Sequence, residues 1–259
     1  MKSHQLNHIL NNKTLGSSEL VQLLNKYFLS LHGNKSEISR SIRLARIKLG
    51  HFETVNSYLK DLSSELKNGS GLETFLKSYS LKQKEKFEII FKKIYPRLKK
   101  LNEVITLSRS GTVLEVFKLW HQKNKKLRVV VCESRPQYEG RLMAKELAAN
   151  SLNVELITDA MMGLYIPKID AAIIGADAVL INGNVVNKVG SKALALLCRE
   201  YKKPFYAVLF RSKLSKKKIF QPMKDDPQEI WEKKVKNLSI SNIYFEEIEK
   251  KLITKIFTD

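Results

Sequence analysis

Between residues 127 and 210, short β-branched and aliphatic runs alternate with amphipathic segments at a regular step. Such alternation predicts βαβ units on a parallel sheet. The apolar runs at 128–133, 154–157, 170–175 and 205–210 are the expected strands, with helices expected at 139–149 and from Val189 through Leu197. A further apolar run at 104–107 passes through Ser108-Arg109-Ser110-Gly111 into a helical segment carrying Val113, Val116, Phe117 and Trp120. Residues 179–186 are expected to form a hairpin turning at Asn182-Gly183. Residues 240–245 are expected to add an edge strand.

The first hundred residues carry a different period. Leu20, Val21, Leu24, Tyr27 and Phe28 recur at helical spacing, as do Ile38, Ile42, Ala45 and Leu49. Gly16-Ser17-Ser18-Glu19 predicts a helix start with serine as cap, and Ser36 and Ser39 open the next segment. A third helix is expected over 55–66 and another from Leu72, after the break at Asn68-Gly69-Ser70-Gly71. Residues 82–98 place Phe87, Ile90, Phe91, Ile94 and Leu98 on one face. The expected architecture is α/β: an amino-terminal helical domain over 1–101, followed by a Rossmann-like, mostly parallel sheet domain over 102–259.

Composition narrows the chemistry. A hydrophobic content of 43% with 28% charged residues is that of a globular chain rather than a disordered one. No apolar run is long enough to span a membrane, and the first residues lack a secretion signal's apolar core, so a cytoplasmic protein is expected. Cys132 and Cys198 form no Cys-x-x-Cys pair and are expected to be small buried hydrophobes. All five histidines precede residue 127, so neither histidine chemistry nor a metal site is expected at the strand ends, and no cofactor is implied. The net charge of +20 is mostly lysine, spread over both parts. It is either plain solubility or an attraction for RNA, phosphorylated ligands or acidic proteins.

Ligands of open α/β sheets bind at the carboxyl ends of the strands, and the polar residues of this chain fall there. Ser108, Arg109, Ser110 and Gly111 form a strand-to-helix turn, which is either a phosphate cradle or ordinary turn chemistry. Arg135 can clamp a phosphate or pair with Glu133 or Glu139. Asp159 is expected to cap its own helix. Asp177 follows the third apolar run, and the hairpin returns Asn187 and Lys188 toward it, beside the start of a helix. The alternative makes Asp177 a turn former and Lys188 a solvated cation. Lys213 to Lys218 is expected to be a solvated loop.

The segments ESRPQYEG, IIGADAV, NGNVVNKVGS and KPFYAV, in this order and spacing, resemble the initiation factor 2B alpha/beta/delta superfamily. That superfamily includes methylthioribose-1-phosphate and ribose-1,5-bisphosphate isomerases. The likeness is strong over 104–210 and loose before it. It implies a helical domain followed by a Rossmann-like one, assembled as a homodimer or higher homo-oligomer. In the isomerases it also implies a cysteine in the turn after the first strand and an aspartate in the GAD motif, which move protons as an opened aldose becomes a ketose. Asp177 matches that aspartate, Asn187 and Lys188 match the substrate-contacting pair, and Arg135 matches the phosphate-side arginine. Where the isomerases carry a His-Cys-Asn-like triplet, this chain has Leu107-Ser108-Arg109, and a serine hydroxyl is a far weaker acid than a thiol. Where they tend to have Arg-Gly-Ala, it has Leu15-Gly16-Ser17.

These readings make Asp177 and Ser108 the candidate catalytic residues, with Arg109, Ser110, Arg135, Asn187 and Lys188 as candidate ligand contacts. The expected function is binding of a phosphorylated sugar or nucleotide without cysteine-dependent isomerisation. The alternatives are an active aldose-ketose sugar-phosphate isomerase and a translation-factor-like scaffold meeting RNA or an acidic protein.

Overall fold

The computed structural model describes residues 2–12, 15–50, 52–68, 71–233 and 235–259. The chain divides into two compact units, residues 1–89 and 90–259.

The first unit is helical, with α1 (Lys2–Leu10), α2 (Ser17–Ser30), α3 (Lys35–Leu49), α4 (Glu53–Asn68) and the start of α5 (Leu72–Leu98). Its core is built from the residues at helical spacing, among them Leu20, Leu24, Tyr27, Phe28, Ile38, Leu59 and Leu62, all fully buried. Tyr27 and Ser41 hydroxyls share a hydrogen bond inside it, and Tyr58 donates to Asn25. Three local expectations change. Gly16, not a serine, is the N-cap of α2, and its amide donates to the Glu19 carboxylate at 3.2 Å. Asn34 caps α3 by accepting from the Glu37 amide. The segments expected from Leu72 and over 82–98 form one 27-residue helix, because no glycine or proline interrupts them before Pro96. Gly69 and Ser70 of the expected break lie outside the described residues.

The second unit contains a six-stranded parallel sheet and a small antiparallel one. In chain order its elements are β1 (Glu103–Leu107), α6 (Gly111–Lys123), β2 (Arg128–Cys132), α7 (Glu139–Ala149), β3 (Asn153–Ile157), α8 (Met162–Tyr165), β4 (Ala171–Ile174), β5 (Ala178–Val179), β6 (Val185–Lys188), α9 (Ser191–Glu200), β7 (Phe205–Val208), β8 (Phe245–Ile248) and β9 (Lys255–Phe257). The main sheet runs β3-β2-β1-β4-β7-β9, and the small one β5-β6-β8. The central strands bury both faces, as a helix-covered parallel sheet requires: Val104, Ile105, the run Val129 to Cys132 and all of β4 are inaccessible. The Asp170 carboxylate receives the amides of Asn102 and Glu103 at 2.8 and 2.9 Å, which fixes the start of β1 beside β4.

Strand order reverses direction between β1 and β4, so the crevice above their carboxyl ends is the topological switch point, where ligands of this sheet class bind. The hairpin at Asn182-Gly183 is present, with Gly183 in the left-handed region at φ 84°. The strand expected at 240–245 begins at Phe245 instead and pairs with β6, leaving β9 as the main sheet's edge. Residues 240–244 run without a strand, and their Asn242 side chain instead donates to the Asp226 carbonyl and the Glu229 carboxylate.

Candidate functional site

β1 and β2 lie in register, with Leu107 opposite Cys132, and both leave the sheet through a serine in the left-handed region. Ser108 and Ser134 each have φ 63°. The Ser108 amide donates to the Ser134 hydroxyl at 2.6 Å, and that hydroxyl donates to the Cys132 carbonyl. The Asp159 carboxylate accepts the amides of Ser134 and Arg135, both at 2.8 Å. Asp159 therefore does not cap its own helix: two backbone donors from the neighbouring strand's turn take its carboxylate.

The three candidate cations differ. Arg109 makes a two-pronged ion pair with Glu146 of α7, both contacts at 2.8 Å, and its side chain is 6% exposed. Its charge is committed to joining α6 to α7. Lys188 is 4% exposed and binds the Glu139 carboxylate at 2.5 Å, with its ammonium 4.1 Å from the centre of the Tyr244 ring. Arg135 is exposed, lies 4.9 Å from the Tyr138 ring, and donates to the Tyr138 hydroxyl and the Ile230 carbonyl. Among the described residues it meets no carboxylate. Its two candidate partners are engaged elsewhere: Glu133 pairs with Arg141, and Glu139 with Lys188.

Ser110 caps α6 by accepting the Val113 amide at 3.4 Å. A side chain on Gly175, at the end of β4, would put its Cβ 2.4 Å from the Ser110 hydroxyl oxygen, so glycine is what brings the two turns together. Asp177 follows, half-buried, and its amide donates to the Val186 carbonyl of the hairpin at 2.8 Å. Its charge adds slightly to the upward shift at Glu139. Asn187 is buried, and its side-chain amide donates to the Ser191 hydroxyl at 2.9 Å.

Glu139 joins the site although nothing in its sequence position pairs it with Lys188. It is 7% exposed, and one carboxylate oxygen has no hydrogen-bond partner among the described residues. Burial pushes its carboxyl above the ordinary range, and Lys188 opposes that rise. A buried carboxyl group held against a buried lysine can pass a proton or orient hydroxyls. The amino terminus of α9 is taken from within. Glu246 of β8 accepts the amides of Gly190 and Lys192 at 2.7 and 2.9 Å. Gly190 has φ 100°, and a Cβ there would lie 2.9 Å from Leu107.

Lys213 is also buried and donates to the Ala176 carbonyl, so it does not belong to a solvated loop. Cys132 and Cys198 are sealed in the core as expected. Burial pushes both thiols up, that of Cys198 to about 12. Among the described residues no group of histidine, cysteine, aspartate and glutamate is arranged to hold a metal ion.

The sequence profile of the initiation factor 2 subunit family matches residues 4–259. The chain belongs to the initiation factor 2 subunit family. Within that family it is 45% identical over 103 residues to a Pyrococcus horikoshii protein named as a translation initiation factor eIF-2B subunit 2-like protein, covering 40% of this chain and 37% of that one. It is 31% identical over 169 residues to the ribose 1,5-bisphosphate isomerase of Methanocaldococcus jannaschii, covering 63% of this chain and 55% of the relative. The matched stretches thus span under two thirds of these curated relatives. The solved translation initiation factor eIF-2B of Pyrococcus horikoshii superposes with a TM-score of 0.76 at 26% identity, covering 98% of this chain and 94% of that one. Family members named as translation factors and as sugar-phosphate isomerases therefore both stand near this chain.

Of the residues the sequence missed, Glu139 stands inside the ESRPQYEG segment, yet only the fold brings it to Lys188, 49 positions away. Tyr244 and Glu246 come from β8 and the loop before it, and no local motif marks them.

Proposed function

We propose that this family member binds a phosphorylated sugar or nucleotide at the switch point and does not carry out cysteine-dependent isomerisation. The observation that supports it best is the contrast between the polar and thiol groups. Lys188 pairs with Glu139 at the strand ends, Asn187 precedes it on β6, the Asp177 amide bonds that same strand, and Arg135 on the adjoining turn meets no carboxylate among the described residues. Both thiols, by contrast, are sealed in the core with their protons held tightly. In this reading Arg135 and the Ser108 to Ser110 turn face the phosphate. Asp177 and Asn187 hold sugar hydroxyls, and the Glu139 pair keeps Lys188 in place.

Thermal melting with ribose 5-phosphate, ribose 1,5-bisphosphate, methylthioribose 1-phosphate and AMP tests it, because a ligand specific to the folded state raises the melting temperature. At least one is expected to stabilise the wild type and to lose that effect in Arg135→Ala. No shift with any of them overturns the reading.

A second reading has one observation of its own. The buried Glu139 oxygen that accepts no hydrogen bond among the described residues offers an acid to an isomerase lacking the thiol. A coupled turnover assay with the two isomerase substrates separates the readings: turnover abolished by Asp177→Asn favours the isomerase, and no turnover with binding intact favours the binder. We also read the chain as self-associating, since Leu214, Ile219, Met223 and Trp231 of the irregular segment before β8 are 47–73% exposed. Sedimentation velocity tests this, and a monomer at all concentrations would rule it out. No helix among the described residues is long and apolar enough to cross a membrane.

A further inference from the structure

The helical unit holds a groove that the sheet site does not use. It lies between α3 and α4, encloses about 620 Å³, and is lined by both polar and apolar side chains. Arg43, Arg46 and Ile47 come from one stripe of α3, and Lys60, Ser63 and Lys67 from one stripe of α4. Four cations line it and, among the described residues, no carboxylate does. Arg46 is held in position by neutral groups: its guanidinium donates to the Leu59 carbonyl at 3.3 Å and the Ser63 hydroxyl at 3.0 Å. Among the described residues none of the four cations makes an ion pair. Ile42 and Leu66 add apolar surface, and Ile47 stands 72% exposed at the same groove.

We propose that this groove docks an acidic amphipathic helix of a protein partner. Charge complementarity selects an acidic occupant, and the spacing selects an extended one. Lys60 and Lys67 are seven residues apart, which is about 10 Å along a helix, a span that carboxylates one and two turns apart on a partner helix can follow. The apolar residues give that helix a place for its leucines, as helix-in-groove recognition requires. RNA fits less well, because among the described residues no aromatic ring lines the groove for a base to stack on.

The test uses the full chain and a fluorescein-labelled 15-residue peptide with leucines three and four apart and glutamates elsewhere, read by fluorescence anisotropy. Arg43→Glu with Lys67→Glu is expected to weaken binding about tenfold or more, and Ile47→Ser about fivefold. The same peptide with serine for every leucine should bind weakly. Lys216→Glu with Lys218→Glu, which changes net charge equally in a loop of the other unit, should leave binding unchanged. All replaced residues are exposed, and unchanged circular dichroism melts confirm that each variant folds. The proposal is overturned if no peptide binds, if the groove variants behave like the loop variant, or if Ile47→Ser has no effect while a 15-nucleotide uridine RNA binds more tightly than the peptide. The last outcome would identify the groove as an RNA surface.

Discussion

Replacing Lys188 by methionine keeps most of the side chain's length and removes its charge, which leaves Glu139 buried without a counter-ion. Breaking a buried pair in this way costs about 3–5 kcal/mol. With a urea m-value of about 2 kcal/mol/M, the midpoint should fall by about 1.5–2.5 M. Trp120 is fully buried in the sheet unit and provides the fluorescence signal for that transition. The loss should depend on pH with a definite sign. Glu139 already has a folded-state pKa above its ordinary value of 4.5, chiefly from burial, and removing the opposing lysine raises it further. A carboxyl raised on folding is best tolerated below its unfolded pKa and becomes costly as pH rises through the window up to the folded one. The variant should therefore come closest to wild type near pH 4.5 and fall further behind as pH rises above it. Adding Glu139→Gln should restore much of the loss, because the orphaned charge is then gone. A midpoint shift below about 0.5 M, or one equal at about pH 5 and pH 8, would refute the buried, coupled pair.

Three further outcomes follow from the same geometry. Gly175→Ala forces a Cβ against the Ser110 hydroxyl and should cost about 1–3 kcal/mol in urea unfolding; an unchanged midpoint would mean that the two turns are not in contact. Asp159→Ala strips the acceptor from the Ser134 and Arg135 amides and should cost about 2 kcal/mol, with faster hydrogen exchange at those two amides as the specific sign. Cys132 and Cys198 should resist a thiol-disulfide reagent at about pH 8 in the native chain and react fully in denaturant, since burial holds both thiols protonated; fast labelling of either in the native state would contradict their place in the core.

What the sequence revealed and what it hid divide along physical lines. Strand and helix periods depend on neighbouring residues, so the alternation over 127–210 and the Asn182-Gly183 turn were legible. So was the return of the hairpin's second strand beside Asp177, because a hairpin's geometry is set by its own turn. Partner choice was not legible. Nothing local says that Arg109 reaches Glu146, 37 positions on, or that Asp159 serves the Ser134 turn rather than its own helix. Lys213 sits in a lysine-rich stretch whose composition signals solvent, yet one carbonyl at Ala176 receives it in the core. Long helices suffer the reverse problem: the segments from Leu72 and over 82–98 read separately, but without glycine or proline between them the backbone has no reason to stop.

Glu246 sits directly across the small sheet from Asn187, and its carboxylate already fills the α9 amides. It acts as a tethered competitor, with an effective concentration on the order of millimolar or more. A free anion arriving there must outcompete a resident that never diffuses away, so any affinity measured at those amides is a net exchange rather than a simple gain. The resident's own backbone forms the rung opposite Asn187. Occupancy of this helix end and the posture of a candidate ligand contact are thereby tied to a single latch.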